Sequence, residues 1–148
     1  MTGQELARLQ ERAGQNDPEA LYRLAMLHIY GDGVPEDNDL AAALLLRAAR
    51  QGCAKAQALT GSCLQQGTGT ISDTAEALRW YRLAAEQNDP YAQYCLGRCC
   101  QRGEGVEKDM AEALRWYRLS AAQDYPYARQ ALEALSTGAE NAVGRPIE

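Results

Sequence analysis

Two stretches decide the fold of this chain: Glu76-Ala77-Leu78-Arg79-Trp80-Tyr81-Arg82-Leu83, and the same eight residues again at Glu112–Leu119. They stand 36 residues apart, and the same offset brings further columns into register on either side of them. Ala20, Ala56, Ala92 and Ala128 form one column. Gly31, Gly67 and Gly103 form another, followed by Gly33, Gly69 and Gly105. Asp37, Asp73 and Asp109 come next, then Ala41, Ala77 and Ala113. Ala49, Ala85 and Ala121 close each unit, followed by Gln51, Gln87 and Gln123. A fixed period in this range is the signature of a solenoid.

Each unit reads as two helices, A then B. Helix A starts near Pro18, Ala54, Pro90 and Pro126, since proline suits the first helical position, where its missing N–H costs nothing. Asp17 and Asp89 precede two of these prolines as N-caps. A small or apolar stripe follows with i, i+4, i+7, i+8 spacing, as in Ala20, Leu24, Leu27 and His28 or Ala92, Leu96, Cys99 and Cys100. The Gly-x-Gly segment ends helix A, because glycine accepts the left-handed C-cap conformation. Helix B starts at the aspartate; Asp73-x-x-Glu76 and Asp109-x-x-Glu112 have capping-box spacing. Its stripe is Ala77, Trp80, Tyr81 and Ala84. The alanine columns let helix axes approach closely, and Trp and Tyr of helix B are expected to fill the space between repeats.

The ends are half-repeats. Asn16-Asp17-Pro18 matches Asn88-Asp89-Pro90 at twice the period, so Leu6, Leu9 and Ala13 stand where Leu78, Tyr81 and Ala85 stand. Thr2-x-x-Glu5 is a capping box for that first helix. The organisation expected is a capping half-repeat at 1–16, repeats at 17–52, 53–88 and 89–124, a lone helix A at 125–135 and a tail at 136–148 expected to be mobile. That is an all-α, α/α solenoid of about eight helices, ordered B, A-B, A-B, A-B, A.

Composition agrees. The chain has 148 residues, enough for one core, and Ala, Leu, Arg, Glu and Gln dominate while Phe is absent. A formal charge of -5 disfavours nucleic acid as a partner. No apolar run approaches the roughly 20 residues of a membrane span, and the polar start from Met1 to Glu11 has no signal-peptide core. A cytoplasmic address is expected, or a periplasmic or secreted one if a signal peptide has been removed. The five cysteines, Cys53, Cys63, Cys95, Cys99 and Cys100, follow no disulfide framework.

Ala92, Leu96, Gly97, Gly103, Gly105, Val106, Asp109, Ala113, Trp116, Tyr117 and Ala121 resemble the pattern of the Sel-one-like repeat (SLR) family, a relative of the tetratricopeptide repeats. The resemblance covers about residues 17–135. The first unit departs with Ala25 for Gly, His28 for Tyr and Leu44-Leu45 for Trp-Tyr. The second has Thr60, Leu64 and Ile71 at the Leu, Tyr and Val positions. These exchanges are expected to keep size or polarity roughly compatible. The resemblance implies a scaffold or adaptor, often bacterial, that gathers signalling, secretion or quality-control partners; fold alone does not fix the partner.

Catalysis finds little support in the residues. His28 is the one histidine and sits on a core stripe, where a structural role is expected. Some cysteine-rich relatives are associated with β-lactam binding or hydrolysis, but no serine here has a lysine three residues on, as such serine enzymes require. The Gly-x-Gly segments follow helices instead of strands, so they are turns and not phosphate cradles. Cys95 and Cys99 share a helix face and Cys63 is the column mate of Cys99, so a three-cysteine metal site is open geometrically. Packing is expected instead, because Leu27 occupies the same column. Neither metal nor cofactor is expected.

The residues flanking the helix A stripe are expected to line a concave side. They are Glu19, Tyr22, Met26 and Ile29, then Lys55, Ala58, Ser62 and Gln65, then Tyr91, Tyr94, Arg98 and Arg102, then Tyr127 and Gln130. Tyrosine and arginine dominate binding hot spots. The candidate partner-binding residues are therefore Tyr22, Tyr91, Tyr94, Arg98, Arg102 and Tyr127, although Tyr22 and Tyr94 could equally pack between A helices. The function expected is non-catalytic: a scaffold that takes a peptide or helix in the groove of the A helices. A regulatory or accessory subunit docking to an enzyme, secretion or signalling complex is the alternative, and a β-lactam-type or metal-dependent hydrolase a second. The partner is expected to be a protein or peptide, with self-association open and neither nucleic acid nor membrane involved.

Overall fold

The structure, a computed structural model, describes residues 1–138. Its helices are α1 (Gly3–Gly14), α2 (Pro18–Tyr30), α3 (Asn38–Arg50), α4 (Ala54–Gln66), α5 (Thr74–Glu86), α6 (Pro90–Arg102), α7 (Met110–Ala121) and α8 (Pro126–Ser136). Among the described residues the fold is all-α, of the α/α solenoid class, with α2, α4, α6 and α8 as A helices and α1, α3, α5 and α7 as B helices. Of the tail expected to be mobile, Ser136 ends α8, and residues 139–148 lie outside the described residues.

Local chemistry sets the boundaries. Asp37, Asp73 and Asp109 accept the backbone N–H three residues on, at 3.0, 3.1 and 3.1 Å, capping α3, α5 and α7. Asp17 and Asp89 cap α2 and α6 ahead of their prolines. Thr2 and Glu5 form the full reciprocal box. Gly31, Gly67 and Gly103 end the A helices at φ 64, 72 and 72°, in the left-handed region. The A-to-B loops close alike: the N–H groups of Asp37, Asp73 and Asp109 donate to the carbonyls of His28, Leu64 and Cys100 at 2.8–2.9 Å.

The glutamine column has a structural task. The Gln51 amide donates to the Asn16 carbonyl at 2.9 Å, and the Gln123 amide to the Asn88 carbonyl at 2.8 Å. Each clamps the B-to-A turn one repeat earlier, where Asn16 and Asn88 have φ of 68 and 72°. The chain divides into two compact units, Met1–Gln87 and Asn88 onward. In the first, Leu9, Leu21, Leu24, Leu44, Leu45 and the alanine columns form the core. In the second, Cys100, Ala113 and Tyr117 anchor a cluster joined by Tyr94, Trp116, Leu132 and Leu135.

The expectation that Trp and Tyr both fill the space between repeats needs correcting. Tyr81 and Tyr117 are buried inside their own hairpins, lying on Gly61 and Gly97 of the preceding A helix. A Cβ added at either glycine would come within 2.7 Å of the ring. Their hydroxyls donate to Gln65 and Gln101 at 2.8 and 2.6 Å. The first repeat has Ala25, Leu45 and Ile29 at the corresponding glycine, tyrosine and glutamine positions. A methyl added on helix A is thus matched by an aliphatic chain on helix B, and no glutamine is needed where no hydroxyl exists. The tryptophans are only half-buried.

Candidate functional site

The second unit gathers most of the candidate binding residues. Tyr94, from the middle of α6, lies 5.9 Å from Tyr117, 5.6 Å from Tyr125 and 6.1 Å from Tyr127, centroid to centroid. Tyr125 also meets Tyr91 at 6.4 Å and Tyr127 at 5.8 Å. All the pairs are tilted, the arrangement aromatic quadrupoles favour. The Arg98 guanidinium, one turn along α6, sits 5.5 Å from the Tyr94 ring centre. Arg102, a further turn on, is 3.8 Å from the carboxylate of Glu104. Tyr127 is the most exposed ring of the set, at 59%.

The six candidates therefore divide. Tyr91, Tyr94, Arg98 and Tyr127 share one face, and Arg102 extends it with its charge partly answered by Glu104. Tyr22 belongs to the first unit, half-buried against that unit's core. Ala58, expected on the same concave side, is buried. Tyr125 was not anticipated, though the sequence carries a signal. It holds the N-cap column where Asp17 and Asp89 cap their helices, and it makes no side-chain cap bond. Burial, then the neighbouring Cys95 and tyrosines, pushes its hydroxyl up to about 12, and burial pushes that of Tyr117 further above the ordinary range. Both are neutral hydrogen-bonding groups at physiological pH.

His28 is buried at the end of α2, with Nδ1 3.0 Å from the Pro35 carbonyl, where it helps to close the loop. Cys95, Cys99 and Cys100 are buried in the second unit, whereas Cys53 and Cys63 are half-buried in the first. Among the described residues, no group of three or more His, Cys, Asp or Glu side chains is placed to hold a metal ion.

Burial raises the Cys99 thiol from 9.0 to about 11, and this makes a prediction. The unfolded thiol gives up its proton near 9, the folded one only near 11, so between these values the unfolded chain binds fewer protons. Stability is then full below pH 9 and falls as pH rises toward 11. Urea midpoints measured on both sides of pH 9 are expected to show the loss, and Cys99→Ala to reduce it. Native alkylation followed by mass spectrometry is expected to label Cys53 and Cys63 well before Cys95, Cys99 and Cys100. Equal labelling of all five thiols would contradict this burial.

The helical hairpins, their glycine C-caps and the tyrosine–arginine face define an α/α repeat protein. The chain belongs to the Sel1 repeat family, which matches residues 18–53, 54–89 and 90–125. No curated protein matches the chain. Among solved structures it is similar to a Sel1 repeat protein from Oxalobacter formigenes, at 36% identity and a TM-score of 0.77, over 87% of this chain and 97% of that one. It is also similar to c5321, a protective antigen of uropathogenic Escherichia coli strains with an SLR fold, at 33% identity and a TM-score of 0.81. That match spans 88% of this chain but only 28% of the antigen. The cysteine rich protein B of Helicobacter pylori, at 16% identity, shares the fold, with a TM-score of 0.68 over 88% of this chain and 97% of that one. Sel1 repeats in general mediate protein–protein interaction, and the proteins built from them are typically non-enzymatic scaffolds.

Proposed function

We propose that this chain is a protein-interaction scaffold that holds a partner peptide or helix on the face of α6 and α8 formed by Tyr91, Tyr94, Arg98, Arg102 and Tyr127. The observation that carries the reading is the grouping of the tyrosine rings around Tyr94, with a guanidinium over the same ring. Rigid aromatics give large contact area at small entropic cost, and arginine grips a carboxylate with two parallel hydrogen bonds. The ligand suited to this face offers an apolar side chain to the tyrosines and an acidic group to the arginines. Tyr22, two repeats earlier in the column of Tyr94, is the corresponding contact in the first unit.

The test begins with affinity capture from the native host, using wild-type chain and an Arg98→Ala/Arg102→Ala variant side by side. The partner retained by the wild-type chain is then measured against both by calorimetry. The double variant is expected to bind about tenfold more weakly or worse, to show a flatter salt dependence, and to keep its helical circular dichroism. Wild-type affinity in the variant, with binding lost instead on changing exposed B-helix residues such as Arg79 and Arg82, would reject this face.

A further inference from the structure

We infer that Glu5, Arg12 and Glu133 keep copies of this chain from joining head to tail. Among the described residues, α1 is a helix B with no helix A before it, and α8 is a helix A with no helix B after it. Laid together, α8 of one copy and α1 of the next would make one more hairpin. Much of the match is already in place. α8 keeps Ala128, Leu132 and Leu135 in the columns of Ala92, Leu96 and Cys99, and α1 keeps Leu6, Leu9 and Ala13 in those of Leu78, Tyr81 and Ala85. Met110, Leu114, Leu132 and Leu135 line an apolar groove beside α8. Two repeats earlier, Trp80 of the following helix B stands at the corresponding wall, beside Ala42 and Cys63. Such a joint is heterologous, so each one leaves the same two faces free and the product is an open filament.

Three columns carry the contact between the two helices of a hairpin, and each is held by small residues. On helix A it is Ala25, Gly61 and Gly97. On helix B they are Ala41, Ala77 and Ala113, then Ala48, Ala84 and Ser120. All are buried. A Cβ added at Gly61 or Gly97 would lie 3.1 or 3.2 Å from the carbonyl oxygen of Ala77 or Ala113, and the Ser120 hydroxyl donates to the Pro90 carbonyl at 2.8 Å. There is no room at these points for a longer side chain. In the first column α8 carries Glu133; in the other two α1 carries Glu5 and Arg12. All three are exposed.

Exposure to solvent alone accounts for polar residues on these faces; their place in the columns is what makes them a barrier. In a joint, Glu133 would meet Glu5 as Gly97 meets Ala113. Two carboxylates would then share one dry contact, where like charges repel and burial without a partner is unfavourable. Both side chains also exceed the space, and overpacking forces the backbones apart. Arg12 lies about two turns further along α1, facing Pro126 as Ser120 faces Pro90, so it does not neutralise the pair. It is held instead by Asp17 of its own copy at 2.6 Å. Apart from these three residues the joint resembles the first hairpin. Leu9 stands in the column of Leu45, whose helix A partner is Ala25. Alanine at 5, 12 and 133 rebuilds the Ala41, Ala48 and Ala25 set around that leucine.

Variants of the full chain are compared by sedimentation velocity over a concentration series, with circular dichroism to follow helicity. The wild type is expected to sediment at its monomer mass of 16.2 kDa. Glu5→Ala/Arg12→Ala opens the α1 face alone, and Glu133→Ala opens the α8 face alone. Each by itself is expected to stay monomeric, because every joint it can make still holds a charged face. Mixed in equal amounts, the two are expected to associate with a Kd of about 100 μM or tighter and to stop at the dimer, whose outer faces are both closed. The triple variant has no such stop, and its average mass is expected to keep rising with concentration. Glu5→Ala alone, which leaves the Arg12–Asp17 pair intact, is a second α1 variant. It is expected to join Glu133→Ala more weakly than the double variant does. The inference is overturned if neither mixture associates, if one opened face associates by itself as strongly as the mixture, or if the wild type does so. None of these outcomes bears on the Arg98→Ala/Arg102→Ala experiment, which reads a different face.

Discussion

Tyr117→Ala is expected to destabilise the chain by about 3–5 kcal/mol, the range for truncating a large buried aromatic, and Trp116→Ala by distinctly less. The two residues are adjacent on α7, and from sequence alone either could be the anchor. The structure separates them. Tyr117 is 1% exposed, lies on Gly97 and donates to Gln101. Trp116 is half-buried at the edge of the same cluster, with the Arg115 guanidinium 4.7 Å from its ring centre. Removing the tyrosine opens a void bounded by two helix backbones, which relax little. Removing the tryptophan exposes surface that is already partly wet. Because repeat arrays are stabilised through nearest neighbours, hydrogen exchange in Tyr117→Ala is expected to quicken first in α6, α7 and α8. Urea melts of both variants decide the order. A larger loss from Trp116→Ala would mean that the tyrosine does not fill the hairpin.

What the sequence makes legible follows from how local each cause is. The period, the eight helices and their caps rest on interactions spanning three or four residues, such as Asp73 with the Glu76 N–H or Gly103 in its left-handed turn, so spacing alone reveals them. The roles of Gln51 and Gln123 join residues 35 apart in the chain, and the column gives their recurrence without its reason. The fit of Gly97 to Tyr117 is a size match between two helices. It shows only when the first repeat is read beside the others, with Ala25, Leu45 and Ile29 changing together. The tyrosine–arginine face was partly legible: the helical spacing found Tyr91, Tyr94, Arg98 and Tyr127 but not Tyr125, which lies in a turn and not on a stripe. Thr60 is the opposite case, visible as a departure from the leucine of its column, but with a consequence, the space left beside α3 and α5, that depends on Ala42 as well.

Gly97→Ala is expected to cost about 1–3 kcal/mol, although alanine is the better helix former by about 1 kcal/mol. The added Cβ would lie 2.7 Å from two ring carbons of Tyr117 and 3.2 Å from the Ala113 carbonyl oxygen. The ring cannot swing aside, because its face lies in the hairpin and its hydroxyl is held by Gln101 at 2.6 Å. Overpacking therefore outweighs propensity. The first repeat supplies the compensation: Ala25 and Leu45 there are fully buried, with Ile29 in place of the glutamine. A triple variant, Gly97→Ala with Tyr117→Leu and Gln101→Ile, is expected to recover stability to within about 1 kcal/mol of wild type, although Tyr117→Leu alone leaves a void and Gln101→Ile alone strands a buried hydroxyl. The coupling is expected at the upper part of the range for touching residues, about 0.5–3 kcal/mol. Urea denaturation of the wild type, the three single variants and the triple variant measures it. Additive losses in the triple variant would mean that the three columns vary independently and that the first repeat packs its hairpin by some other contact.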